Sequence, residues 1–289
     1  MKKFLYLMLS VLLVCQTAYC ADVHYFMQKD TDVVSDVNYG NNPKVGHYVK
    51  ADDARIYYEV YGKGEPILVM HGGGVGCPYE MGLFIDRLSK EYMVIVPATR
   101  GQGKSEIGTK PLTFEQKAND MIAVVNQFTK KPITILGFSD GAYTAYKMAS
   151  MYPKRVKKII AIGAGENIPS LKSIPLCNLN DLFDCDARYM KEKFALCPEP
   201  EKLQAFFDSY YELFNHELIG KEFFMTIKCP VLLIAGELDD NAPLDTVINA
   251  YKMIPNAQLA IIANAPHVAF NKNFDAVWAN IVPFLKEDK

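Results

Sequence analysis

The sequence predicts an α/β fold in which a mainly parallel sheet is covered by helices on both faces. Short, continuous apolar segments of four to seven residues alternate with longer amphipathic segments along most of the 289-residue chain. Strands that are apolar on both sides are typical of a parallel sheet buried between two helical layers. One block, residues 165–228, interrupts the alternation and predicts a helical insertion between two strands.

Six buried strands and five helices are predicted in order, after an antiparallel hairpin at residues 46–51 and 55–61. Apolar runs that end in glycine or in a polar turn predict the strands. Apolar residues that recur every three to four positions predict the helices. The strands are expected at residues 66–70, 92–96, 133–136, 156–162, 231–235 and 258–262, and the helices at residues 79–88, 114–128, 141–151, 244–253 and 274–285.

The interrupting block contains no apolar run that suits a buried strand, and its helical pieces are rich in aromatic residues. These are Phe206, Phe207, Tyr210, Tyr211, Phe214, Phe223 and Phe224. Because the block follows one sheet strand and precedes another, we expect it to form a helical cap over the carboxyl edge of the sheet. Residues 45–164 and 229–289 would then form the core of the protein together.

Residues 1–20 have the composition of a signal peptide. Lys2 and Lys3 precede an apolar run at residues 4–14, and small side chains follow at Ala18, Cys20 and Ala21. This run is shorter than the roughly 20 residues of a membrane-spanning helix. We expect cleavage after Cys20, export to the periplasm or the medium, and no stable membrane span afterwards. A lipoprotein-type cleavage and an uncleaved anchor are the alternatives. Residues 21–44 are predicted to form an irregular N-terminal arm.

Charge and cysteine content narrow the possible functions. The net charge is -2 and no run of like charges occurs, so we expect no nucleic-acid-binding surface. Export permits disulfides, and the sequence suggests one bridge among Cys177, Cys185 and Cys197, with buried free thiols as the alternative. The cysteine spacing does not match a zinc site, and we expect neither a metal nor an organic cofactor. The oligomeric state stays open.

The clearest chemical signal is Gly-Phe-Ser-Asp-Gly at residues 137–141, between a predicted strand and a predicted helix. A tight strand-to-helix turn forces the central residue, Ser139, into strained backbone geometry, and glycines two positions away on either side remove clashing side chains. The hydroxyl then projects above the sheet as a nucleophile. The amide of Asp140, at the start of the helix, is placed to stabilise an oxyanion.

A second glycine-rich turn, His71-Gly-Gly-Gly at residues 71–74, directly follows the strand at residues 66–70. Glycines let the backbone approach a ligand closely, so the amide of Gly73 is the expected second oxyanion donor. Gly74 and Phe138 are expected to contact substrate beside it. We assign His71 a structural role.

A serine hydroxyl needs a general base, and the base needs a group that orients it. Of the five histidines, His267 follows the last predicted strand, at the sheet edge where the serine turn opens, and is therefore the expected base. Asp239 follows the strand at residues 231–235 and is the expected acid. Asp240 and Glu237 are the alternatives, because the sequence does not show which carboxylate faces the imidazole.

From about residue 48 onward the chain resembles the α/β-hydrolase family, in the serine turn, the segment at residues 71–74, the Gly-Glu-Leu-Asp segment at residues 236–239, and His267. The resemblance implies an α/β-hydrolase fold and a Ser-Asp-His chain order of the catalytic groups. The Ser-Asp-Gly turn is similar to that of valacyclovir hydrolase-like esterases. That similarity implies that the Asp140 side chain contacts a substrate amino group, whereas stabilisation by the helix dipole is the alternative.

These features predict an exported serine hydrolase that cleaves a small or medium carboxylic ester through an acyl-enzyme formed on Ser139. Amide, lactone or carbon–carbon bond hydrolysis on the same three residues is the first alternative, because one fold supports many chemistries. A non-catalytic exported binding protein with this fold is the second.

Overall fold

A computed structural model of the protein describes residues 25–27, 35–171 and 173–287 and contains one eight-stranded sheet. The strands lie side by side in the order β1-β2-β4-β3-β5-β6-β7-β8. Their bounds are β1 (Gly46–Ala51), β2 (Ala54–Tyr61), β3 (Glu65–Met70), β4 (Tyr92–Pro97), β5 (Ile133–Phe138), β6 (Val156–Ile162), β7 (Val231–Gly236) and β8 (Ala257–Ile262).

The sheet is antiparallel at one end and parallel in the rest. Strand β1 pairs with β2, and β2 with β4, in antiparallel register, which confirms the predicted hairpin. From β4 to β8 all pairs are parallel. The carboxyl ends of these six strands therefore meet at one edge, where ligands of open α/β sheets bind.

Ten α-helices are present among the described residues. They are α1 (Gly82–Leu88), α2 (Phe114–Val125), α3 (Asp140–Met151), α4 (Leu179–Cys185), α5 (Ala187–Leu196), α6 (Leu203–His216), α7 (Lys221–Phe224), α8 (Leu244–Met253), α9 (Ala269–Lys272) and α10 (Phe274–Lys286). None of them is long and apolar enough to cross a membrane.

Apolar side chains of the sheet point alternately into two cores, one on each face. In β3, Leu68 and Met70 belong to the core under α2, α3 and α8, whereas Ile67 and Val69 belong to the core under α1, α9 and α10. The period-2 alternation of a strand thus buries both faces of the same segment. The predicted α/β fold with helices on both faces is confirmed.

Two predicted helices differ from the observed ones by more than one residue at an end. The predicted helix at residues 114–128 ends at Val125, because the amides of Gln127 and Phe128 bond three residues back, in a tighter turn, and not four. The predicted helix at residues 79–88 consists of a 3-10 turn, Pro78–Met81, followed by α1.

Helices α4 to α7 lie between β6 and β7, in the helical insertion, residues 165–228. An isolated bridge between Asn167 and Ile219 joins its beginning to its end. The Asn167 side-chain amide also donates to the carbonyl oxygens of Phe214 and Glu217, at 3.0 Å and 2.9 Å. These bonds fasten the two ends of the insertion to each other at the sheet edge.

The structure contradicts the disulfide that the sequence suggested within the insertion. Cys177, Cys185 and Cys197 are all free thiols. Cys197 is buried at the end of α5, whereas Cys185 is exposed at the end of α4, so the two side chains face different surroundings. The predicted signal peptide and its cleavage site lie outside the described residues, as do residues 21–24 and 28–34 of the predicted arm.

Candidate active site

Ser139 occupies the turn between β5 and α3 in a strained backbone conformation. Its φ is 50° and its ψ is −115°, a region that side-chain-bearing residues rarely adopt. Its amide donates to the Ile162 carbonyl oxygen of the neighbouring strand at 2.7 Å, which fixes the turn to the sheet. This hydrogen bond and the helix that begins at the next residue therefore maintain the strained backbone conformation of Ser139.

The glycines at positions 137 and 141 are required by contacts across the turn. A Cβ atom at Gly137 would lie 2.5 Å from the Gly141 carbonyl oxygen, and one at Gly141 would lie 2.7 Å from the carbonyl oxygens of Met70 and His71. Any larger residue would push α3 away from the sheet. The turn therefore has the geometry that the Gly-x-Ser-x-Gly pattern predicts.

Ser139, His267 and Asp239 form one hydrogen-bonded row over the carboxyl edge of the sheet. The Ser139 Oγ lies 3.0 Å from His267 Nε2, and His267 Nδ1 lies 2.8 Å from Asp239 Oδ2. Because a carboxylate only accepts, Nδ1–H donates to Asp239 and Nε2 is left to accept the serine proton. The row can therefore activate the hydroxyl as a nucleophile.

The loop after β7 selects Asp239 among the three candidate carboxylates. Oδ1 of Asp239 accepts from the amides of Asn241 and Ala242, at 2.8 Å and 2.7 Å, and the side chain is buried. Glu237 instead accepts from the Asn264 amide at 2.7 Å, in an exposed position, and Asp240 is exposed. Only Asp239 is both held by the loop and in contact with the imidazole.

Phe138 and Gly163 both adjoin the imidazole ring of His267, a role that the sequence did not suggest for either residue. The ring of Phe138 lies 4.9 Å from that of His267. Gly163, with φ of +65°, leaves room for the imidazole, because a Cβ there would lie 3.0 Å from His267 Cε1. A glycine just after strand β6 was the available signal for this position.

The turn at residues 71–76 is held by buried polar contacts. His71 Nε2 accepts from the Thr99 amide at 3.0 Å, and Nδ1 donates to the Gly72 carbonyl oxygen at 2.6 Å. Burial lowers the pKa of His71 to about 3, so the ring is neutral and occupied by structural bonds. Gly73 and Gly74 face the active-site cavity, and a Cβ at Gly73 would overlap the Tyr210 hydroxyl.

The Asp140 side chain takes part in a buried ion pair, whereas the sequence suggested a contact with a substrate amino group. Its carboxylate forms an ion pair with the ammonium group of Lys117, from α2, and both side chains are fully buried. The ring of Tyr210 covers the ammonium group at 5.7 Å. The residues that line the cavity do not include Asp140. The Asp140 amide keeps its place at the start of α3.

This ion pair predicts a stability effect. Lys117→Met should lower the free energy of unfolding by about 3–5 kcal/mol, because it leaves the Asp140 carboxylate buried without its cation. Urea unfolding at neutral pH measures the change. The double variant Lys117→Met/Asp140→Asn removes the uncompensated charge and should recover most of the loss. A single variant within about 1 kcal/mol of the parent would contradict a buried charge pair.

The active-site cavity has a volume of about 470 Å³, which suits a small or medium organic ligand. Phe138, Ser139, His267, Gly73 and Gly74 form its floor, and the aromatic side chains on its wall are Tyr25, Phe26, Tyr189, Phe207, Tyr210 and Phe214. The last three belong to the aromatic set that the sequence placed in the insertion. The aromatic lining from the N-terminal arm was not foreseen.

Three polar side chains also line the cavity, and the sequence reasoning missed them: Glu80, Asn241 and Asn271. Glu80 accepts from the Gly72 amide, and burial raises the pKa of its carboxyl group to about 8. The side-chain amide of Asn271 has no hydrogen-bond partner within the described part of the chain. These groups offer polar contacts to a ligand in an otherwise apolar pocket.

Comparisons with known proteins agree with the fold. The alpha/beta hydrolase fold family matches residues 65–188. Pyrrolizixenacetamide deacetylase of Xenorhabdus hominickii is 28% identical over 116 residues, which are 40% of this chain and 44% of that protein. The chain thus spans less than half the length of that relative. Human serine hydrolase BPHL is 23% identical over 230 residues, covering 76% of this chain and 79% of that protein.

A solved structure gives the same result for the fold. The serine hydrolase CarC, which is involved in carbazole degradation, superposes with a TM-score of 0.70 at 19% identity. The match covers 83% of this chain and 98% of that chain. With the eight-stranded sheet and the matched family segment, these similarities show that the chain has the α/β-hydrolase fold.

Proposed function

We propose that this protein is an exported serine hydrolase that cleaves small or medium carboxylic esters. The observation that carries the proposal is the continuous row from Ser139 Oγ through the His267 imidazole to the Asp239 carboxylate, at 3.0 Å and 2.8 Å. The row opens into a mainly apolar cavity of about 470 Å³. A strained serine, a histidine with a free Nε2 lone pair and a buried acid are the parts that acyl transfer needs.

The reaction follows from these positions. Ser139 Oγ attacks the substrate carbonyl carbon while its proton moves to His267 Nε2, and Asp239 stabilises the imidazolium that forms. The amides of Gly73 and Asp140 donate to the oxyanion. His267 then protonates the leaving alcohol as the ester bond breaks. Water, deprotonated by His267, attacks the acyl-enzyme and releases the acid and the serine.

Export is part of the proposal and rests on the basic, apolar and small-residue order of residues 1–20. An amide substrate is the second candidate for the reaction. The relative of 28% identity is named a deacetylase of an acetamide, and the same triad can release an amine if His267 protonates it.

A hydrolysis screen tests the function. Purified protein should hydrolyse p-nitrophenyl acetate and p-nitrophenyl butyrate far above the background rate. It should hydrolyse the matched p-nitroanilides more slowly, because amines leave less readily than phenols. Ser139→Ala is the blank for each substrate. Hydrolysis of anilides but not of esters would favour the amide candidate, whereas equal rates for the parent and the blank on all substrates would refute hydrolysis by Ser139.

A further inference from the structure

Residues 25–27 lie apart from the sheet and cross from the core to the helical insertion. On the core side, the ring of Tyr25 packs on that of Tyr79 at 5.6 Å. On the insertion side, the ring of Phe26 packs edge-on against that of Tyr189, on α5, at 5.5 Å. The Met27 amide donates to Asp186 Oδ2, at the start of α5, at 2.9 Å. We call residues 25–27 the aromatic strap.

The strap is also part of the active-site wall. Tyr25 and Phe26 line the same cavity as Ser139 and His267. The Tyr25 side chain is almost fully buried, whereas Met27 is 62% exposed. The strap therefore presents its two aromatic rings to the cavity and its third side chain to solvent.

The contacts of the strap are specific enough to hold it in place. Two aromatic pairs with ordinary centroid distances and one exposed hydrogen bond to the Asp186 carboxylate fix three consecutive residues. Asp186 is itself fixed, because its Oδ1 accepts from the Tyr189 amide at 3.0 Å as the N-cap of α5. The strap is thus anchored to the start of α5 and to the 3-10 turn Pro78–Met81 before α1.

We propose that the aromatic strap sets the upper size limit of the substrate, so that the enzyme prefers short-chain acyl or alkyl groups. The inference rests on the proposed ester hydrolysis at Ser139 and adds the substrate size class. Aromatic rings that close one side of a pocket exclude chains that would extend past them. Replacing both rings by methyl groups opens that side without touching the triad or the oxyanion donors.

The test uses the full-length chain with Tyr25→Ala/Phe26→Ala, and Met27→Ala as the matched control. Met27 belongs to the same strap, but its side chain is exposed and does not line the cavity. The readout is the ratio of kcat/KM for p-nitrophenyl decanoate to that for p-nitrophenyl acetate. We expect the double variant to raise this ratio by about tenfold or more, and the control to stay within about twofold of the parent.

An unchanged or smaller ratio in the double variant, with the parent still active on acetate, overturns the size limit and leaves ester hydrolysis standing. A parent that hydrolyses no ester overturns both. A second readout is independent of turnover: the labelling rates of a decyl and an ethyl fluorophosphonate. The decyl-to-ethyl rate ratio should rise in the double variant alone, and equal ratios in all three proteins also overturn the proposal. Equal thermal unfolding midpoints exclude a folding effect.

Discussion

Ser139→Ala should lower kcat for p-nitrophenyl acetate by about four to six orders of magnitude while KM and the fold change little. In the proposed mechanism the hydroxyl oxygen forms the covalent bond, and it lies 3.0 Å from His267 Nε2, which would accept the proton. Without it, only the oxyanion amides and the binding pocket contribute, which leave a small residual rate. Initial rates over a range of substrate concentrations give kcat and KM, and the thermal unfolding midpoint shows whether the fold is unchanged.

Ser150→Ala is the matched control for this prediction. Ser150 lies near the end of the same helix, α3, its hydroxyl accepts from Thr226 Oγ1 at 2.7 Å, and it is not among the residues that line the cavity. Its variant should keep the parental kcat within about twofold. A Ser139→Ala protein that retains a tenth of the parental kcat would show that another group performs the attack.

Asp239→Asn should lower kcat by about ten-thousandfold at neutral pH. An asparagine amide can donate to His267 Nδ1, which then accepts and shifts the imidazole proton to Nε2. Nε2 can no longer accept the Ser139 proton, although the geometry of the row is unchanged. The rate should be measured with p-nitrophenyl acetate and with the intact fold verified by circular dichroism.

The neighbouring residue Asp240 allows a control in which the same substitution, aspartate to asparagine, is made outside the row. Asp240→Asn changes an exposed side chain one residue further on, and kcat should stay within about twofold of the parent. The reverse outcome, with Asp240→Asn inactive and Asp239→Asn active, would mean that the loop after β7 presents the other carboxylate during catalysis.

The position of the candidate triad could be predicted from sequence because each part depends on local signals. The Ser139 turn is specified by two glycines and by the strand and helix that flank it. His267 and Asp239 follow the ends of strands β8 and β7, and parallel strands bring their carboxyl ends to one edge. Local patterns therefore determined the chemistry-bearing residues.

What the sequence did not reveal depends on contacts between distant segments. Lys117 looks like one of the charged positions on an amphipathic helix, but α2 packs against α3 so that its ammonium group meets Asp140. That pairing buries the Asp140 carboxylate against Lys117, and Asp140 is not among the residues that line the cavity. The strap residues Tyr25 and Phe26 lie in a polar, irregular stretch, and only the three-dimensional fold brings them to the cavity. No periodic pattern marks such docking.

Mass spectrometry of the protein after reaction with a small fluorophosphonate tests most directly whether Ser139 is the activated nucleophile. We expect one phosphonyl group per chain, located on Ser139, absent from Ser139→Ala, and formed much more slowly in His267→Ala. A parent protein that stays unmodified while correctly folded, or an adduct that forms on another residue and persists in Ser139→Ala, would contradict this expectation.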